Sequence, residues 1–100
     1  MSLPVTLRRL AQAEFDDAAD WFEARSTGDG PAFTAAVRAV LDRIEADPLR
    51  WPEVYGSVRE APVAGYRYAI YYRIEPRQVS VLSVFHTSRD PGVWQSRASP

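Results

Sequence analysis

One hundred residues, 46% of them hydrophobic and 25% charged, match one folded domain spanning residues 1–100 and exclude a disordered tail. A formal net charge of −1 excludes a global positive field that would attract nucleic acid, so any anion binding has to be local. With no cysteine and a single histidine, the chain has no disulfide, thiolate or imidazole cluster to offer, and neither a metal nor a cofactor is expected.

No apolar run approaches the ~20 residues that cross a bilayer. The opening segment MSLPVTLRRL has neither a basic region followed by an apolar stretch nor a small-residue cleavage site, so a cytoplasmic protein without membrane contact is expected. Charge is unevenly spread along the chain. Glu14, Asp16, Asp17, Asp20 and Glu23 load the early part with acid. Between residues 59 and 97, Arg59, Arg67, Arg73, Arg77, Arg89 and Arg97 outnumber Glu60, Glu75 and Asp90.

Val5 and Leu7 alternate with Thr6 and Arg8, which predicts a short first strand. In AQAEFDDAADWFEARSTGDG, residues Ala11, Phe15, Ala18, Ala19 and Phe22 fall at helical spacing with acids opposite, a first helix that stops near Gly28. Asp29 or Gly30 can cap a second helix with Pro31 at its first position, where a missing N–H costs nothing. Its apolar stripe is Phe33, Val37, Val40, Leu41 and Ile44, and Pro48 ends it. PLRWPEVYG reads as a loop before a strand over Val58 to Ala61. The strongest strands are Tyr66 to Ile74 and Val79 to His86, joined by an EPRQ turn in which Pro76 suits the second position. A helical turn is expected over Val93 to Arg97. The order predicts an α+β fold: an N-terminal strand, a helical hairpin, then a three-stranded antiparallel meander, with a short C-terminal helical turn.

If the turn pairs Ile74 with Val79, then Tyr72 faces Val81, Ile70 faces Ser83 and Tyr68 faces Phe85, an apolar set for the helices. The alternate set pairs Arg73 with Ser80, Tyr71 with Leu82, Ala69 with Val84 and Arg67 with His86. No predicted element covers that second face. It reads either as an ordinary solvated sheet face or as a partner site with Leu82 and Val84 at its apolar centre. Register decides, because a slip of one residue exchanges the faces. For chemistry, Arg67, His86 and Arg89 can gather around a phosphate with the histidine as acid or base, or Arg89 can pair with Asp90 and simply pin the tail. Trp21, Trp51 and Trp94 read as packing anchors before stacking platforms.

Several stretches together resemble a known family. The strands YAIYYRIE and VSVLSVFH and the following HTSRDPGVW are similar to the carboxy-terminal signature of RelE/ParE-type toxins of type II toxin–antitoxin, or plasmid stabilisation, systems. AEFDDAADWFEAR and DPLRWPEV resemble the same family, so the likeness runs from residue 5 to 97, and HxxRDP with Trp94 downstream is its most specific part. The resemblance implies a β-α-α-β-β-β fold and a small poison encoded beside an antitoxin that covers it and represses their operon. Operator DNA is then touched only through the antitoxin complex.

Ribosome-dependent RNases of the RelE kind carry an arginine in the third strand, basic residues before it and often a late tyrosine. Aligning YYRI puts Ala69 and Trp94 at those places, and EVYGSVRE, residues 53 to 60, holds one arginine and no lysine. These departures place the chain with ParE-like members, whose implied action is non-enzymatic inhibition of DNA gyrase by direct binding. Arg67, Tyr71, Arg73, His86, Arg89 and Trp94 are then the target-binding candidates, and Leu82 and Val84 the antitoxin-binding candidates. The acid-rich first helix and the groove beside the second helix offer further docking for an antitoxin helix, and an edge strand can accept an added antitoxin strand. The alternatives are a messenger RNA endoribonuclease using His86, Arg89 and Arg67 at the ribosome, or an inactive homologue kept for operon autoregulation.

Overall fold

The computed structural model describes residues 2–98. β1 (Val5–Leu7) leads into α1 (Arg9–Arg25) and α2 (Asp29–Ala46), followed by β2 (Glu53–Tyr55), β3 (Val58–Pro62), β4 (Tyr68–Ile74), β5 (Val79–His86) and α3 (Gly92–Gln95). The expected α+β order is present, including the short last helix. One sheet joins all five strands in the order β1-β5-β4-β3-β2, with β1 parallel to β5 and the other pairs antiparallel.

α1 buries Ala11, Phe15 and Ala18, one side of a helix whose other positions are largely charged. It ends at Arg25, short of the expected Gly28, because Ser26 turns extended and donates its N–H to the Phe22 carbonyl at 3.1 Å. Gly28 then takes φ 95°, a left-handed conformation that favours glycine, and the Glu23 carboxylate accepts the N–H groups of Gly28 and Gly30, both at 3.0 Å. α2 therefore starts at Asp29, and Pro31 stands at the third helical position, still among the N–H groups that lack an intrahelical partner.

Two strand readings change. The expected loop PLRWPEVYG contains β2, an edge strand with all three residues exposed and hence no apolar alternation to reveal it. β4 begins at Tyr68 instead of Tyr66, because Tyr66 donates its N–H to the Val63 carbonyl in the turn built on Gly65.

The β4–β5 pairing carries the main correction. Ile74↔Val79, Arg73↔Ser80 and Tyr72↔Val81 match the expected register, but the next partners are Tyr71↔Ser83, Ile70↔Val84, Ala69↔Phe85 and Tyr68↔His86. Leu82 is the extra residue of a β-bulge, and beyond it every residue of β5 changes partner and side. Val84 joins Ile70, Tyr72, Val79 and Val81 in the core under the helical hairpin. Phe85 joins Val58, Ala69, Tyr71, Leu82 and Trp94 in a second apolar cluster.

That second cluster overturns the expectation of a bare sheet face. Trp94 of α3 stacks on Tyr71 with ring centroids 4.0 Å apart. Leu82 and Val84, expected at the centre of an exposed patch, are 0% and 1% exposed. The bulge turns Leu82 toward the tail and Val84 toward the helices. Arginines tie the tail down: Arg8 donates to the Arg97 carbonyl at 3.2 Å, Arg73 to the Ala98 carbonyl at 2.9 Å and Arg97 to the Leu82 carbonyl at 3.1 Å.

Candidate functional site

The bulge leaves the N–H of Val84 in need of a partner, and Glu14 of α1 supplies it. The Glu14 carboxylate accepts from Val84 N–H at 3.2 Å, from the Ser83 hydroxyl at 2.8 Å and from both Arg97 guanidinium nitrogens at 3.0 Å. This knot sets the distance between α1 and the exit of β5, and a cleft of about 550 Å³ opens there.

One wall of the cleft comes from α1, where Asp17, Trp21 and Phe22 recur at helical spacing beside Glu14. The other wall comes from the start of β4 and the exit of β5, with Arg67, Tyr68, His86 and Arg89. Trp21 is 52% exposed, so it is a rim residue and not the packing anchor expected of it. Its indole meets Phe22 edge-on at 5.0 Å and carries the Arg25 guanidinium at 4.7 Å.

His86 lies on the helix side of the sheet opposite Tyr68, not beside Arg67 as the regular register required. Its ring meets Tyr68 edge-on at 5.1 Å. The backbone N–H of Ser88 donates to His86 Nδ1 at 3.2 Å, and the Ser88 hydroxyl lies 2.7 Å from the same atom. A backbone N–H only donates, so Nδ1 is the acceptor and the neutral ring carries its proton on Nε2. Burial raises the pKa of Tyr68 despite the nearby Arg89 charge, so its hydroxyl stays protonated at neutral pH.

The six target-binding candidates divide between two places. Arg67, His86 and Arg89 meet at the cleft. Tyr71, Arg73 and Trp94 lie on the far face under or against the tail: Tyr71 is buried and donates to Glu60 at 2.6 Å, while Arg73 holds the Ala98 carbonyl and approaches Glu75 at 3.7 Å. Burial, then the Glu60 hydrogen bond, pushes the Tyr71 pKa well up. Arg89 does not pair with Asp90; its guanidinium lies 4.8 Å over the Phe85 ring, and Asp90 accepts the Gly92 N–H at 2.9 Å at the start of α3. Sequence reading missed Glu14, Asp17 and Trp21 as site residues. Their helical spacing was a signal for a shared face, but not for what that face meets.

The cleft has an apolar floor and walls of opposite charge, with Glu14 and Asp17 on one side and Arg67 and Arg89 on the other. Among the described residues, no cluster of His, Asp and Glu is arranged to hold a metal ion, and no helix is long and apolar enough to cross a membrane.

The family model for the ParE toxin of the type II toxin–antitoxin system parDE matches residues 5–91. No sequence among curated proteins matches the chain. A solved chain of the chromosomal ParDE toxin–antitoxin system from P. aeruginosa has the same fold, with a TM-score of 0.65 at 13% identity, covering 85% of this chain and 96% of that one. With a matching model across 5–91 and the strand, helix-pair and sheet order in place, the chain belongs to the ParE toxin family of type II toxin–antitoxin systems.

Proposed function

We propose that this ParE-family chain is a cytoplasmic poison that acts as one unit by binding DNA gyrase, without catalysing a reaction, and that a cognate antitoxin neutralises it. The antitoxin complex, and not the toxin alone, contacts operator DNA. The observation that supports the non-enzymatic reading is that the Glu14 carboxylate, the acidic group of the cleft nearest the exit of β5, is already engaged within the protein. Glu14 is held by Arg97, Ser83 and Val84, and Nδ1 of His86 is engaged by Ser88. Glu14 is thereby withdrawn as the second proton-transfer group that cleavage needs beside His86. Arg67, His86 and Arg89 are the primary target contacts. Tyr71, Arg73 and Trp94 act through the shape of the covered face. For Leu82 and Val84 to touch an antitoxin, the residues covering them have to move first, so the first antitoxin contact falls on exposed side chains.

One observation favours a second reading. Arg67, His86 and Arg89 do converge at one cleft, as a messenger RNA endoribonuclease would require. Purified chain tested against gyrase supercoiling and against ribosome-bound messenger RNA separates the two. Blocked supercoiling with intact transcripts supports the binding reading. Cut transcripts with unaffected gyrase replace it with the nuclease, and activity in neither assay with harmless expression replaces both with a role in operon autoregulation.

A further inference from the structure

We propose that the cleft between α1 and the exit of β5 binds a small aromatic carboxylate, a free molecule of one or two rings with a single negative charge. The site goes beyond the toxin reading and stands without it, because size, charge and aromatic surface define it.

The cleft holds about 550 Å³, inside the roughly 300–1,000 Å³ range of small-molecule sites. Its ionised lining groups are Glu14, Asp17, Arg67 and Arg89. Arg97 matches the charge of Glu14 through two contacts of 3.0 Å. Among the described residues, the ion pairs are Arg8–Glu75, Arg59–Glu53, Arg73–Glu75 and Arg97–Glu14, and Asp17, Arg67 and Arg89 take part in none of them. Two free arginines against one free aspartate leave one positive charge, which a monoanion balances. A phosphate dianion or a run of phosphates overshoots that balance and meets Asp17, exposed on the opposite wall. Neutral donors stand beside the arginines. Ser88 N–H occupies His86 Nδ1 at 3.2 Å, so the neutral ring has its Nε2–H left to give, and the Tyr68 hydroxyl, kept protonated by burial, is a second donor at that wall. Guanidinium groups with such donors suit the two oxygens of a carboxylate. The other wall asks for a ring. Trp21 is 52% exposed, and its indole is held by the edge-on contact with Phe22 at 5.0 Å and by the Arg25 guanidinium at 4.7 Å. A planar ligand therefore meets an aromatic surface that is already ordered, which spares it the cost of ordering that surface.

The test titrates the full chain with indoleacetate, methylindole and tryptamine, which share a ring and differ in charge, and with adenosine monophosphate as a dianionic ring. Nitrogen-15 NMR follows the Trp21 indole N–H and the Ser88 backbone N–H. Indoleacetate should move both signals with a dissociation constant on the order of 1 mM or tighter, and bind about tenfold more tightly than methylindole. Tryptamine should bind more weakly still. Arg67→Ala with Arg89→Ala should lower indoleacetate to the level of methylindole, and Trp21→Ala should weaken both compounds about tenfold. Asp17→Asn removes the opposing charge and should tighten indoleacetate about threefold, a gain that misfolding does not imitate. All four positions are exposed, so circular dichroism should report folded variants. The proposal is overturned if the Trp21 and Ser88 signals stay fixed, if the three indoles bind alike, if the arginine variant binds indoleacetate unchanged, or if adenosine monophosphate binds more tightly than indoleacetate.

Discussion

Glu14 and Arg97 stand 83 positions apart in the chain and meet in a two-point ion pair, Nη1 to Oε1 and Nη2 to Oε2, each 3.0 Å. Both side chains are largely shielded, at 18% and 16% exposure, and the same carboxylate satisfies the backbone N–H that the β5 bulge left over. The pair thus links α1, β5 and the tail. Glu14→Ala should lose about 2–4 kcal/mol, because it strands a guanidinium, a hydroxyl and an N–H in a shielded site. Adding Arg97→Ala should recover part of that loss. Urea denaturation of the four proteins of the double-mutant cycle measures the coupling, and additive losses would contradict the linkage.

Trp94 covers Tyr71, Leu82 and Phe85, yet its indole Nε1 is buried with no hydrogen-bond partner among the described residues. Trp94→Ala should therefore cost about 3–5 kcal/mol and bind a hydrophobic dye through the uncovered face. Trp94→Phe keeps the ring stack and removes the unmatched donor, so it should stay within about 1 kcal/mol of the original chain. An equal cost for both substitutions would show that the stack is not what holds the tail.

Leu82 is wholly buried at the bulge, against Tyr71, Phe85 and Trp94. Leu82→Asp should unfold the domain, since a carboxylate placed there has no partner, while Leu82→Ala should cost about 2–5 kcal/mol. Thermal melts followed by circular dichroism decide this. A folded Leu82→Asp protein would mean that the tail is not closed over the sheet.

Tyr72 is fully buried, donates its hydroxyl to the Pro48 carbonyl at 2.6 Å, and has its pKa pushed up to about 12, chiefly by burial and against the pull of Arg59. A tyrosine with a raised folded pKa keeps its proton longer in the folded chain than in the unfolded one. Its contribution is whole below the unfolded value of about 10 and is lost as pH climbs through the folded value. Stability should fall across that window by about 1.4 kcal/mol per pH unit for each such tyrosine. Tyr71 shifts in the same direction and steepens the fall. Urea midpoints measured from about pH 9 to about pH 12 should decline, and Tyr72→Phe should decline less steeply. A flat profile would mean that the phenol is not shielded.

The Ser88 N–H on His86 Nδ1 fixes the neutral imidazole as the Nε2–H tautomer. Nitrogen-15 NMR of the ring should show a protonated Nε2 and an acceptor Nδ1 at alkaline pH. Ser88→Pro, which removes that N–H, should let both tautomers populate. The reverse assignment would mean that Nδ1, not Nε2, is the donor of the ring.

Element types were legible because they rest on local periodicity: Phe15 and Ala18 mark one helix, Phe33 to Ile44 another, and the dense apolar runs of β4 and β5 could be little else. The family likeness was legible too, since HTSRDP and Trp94 lie close together in the chain. Which side of the sheet each residue faces was decided only by tertiary structure. One extra residue at Leu82 inverts the alternation, and nothing in VSVLSVFH distinguishes a bulged strand from a regular one. The bulge is tolerated because a carboxylate sent from α1 fills its unpaired N–H, a contact across 70 positions of chain. The same long-range closure carried the tail over the second face and brought Arg67, His86 and Arg89 against Asp17 and Trp21. Periodicity is a property of neighbours in the chain, whereas a cleft is a property of surfaces that meet only once the chain has folded.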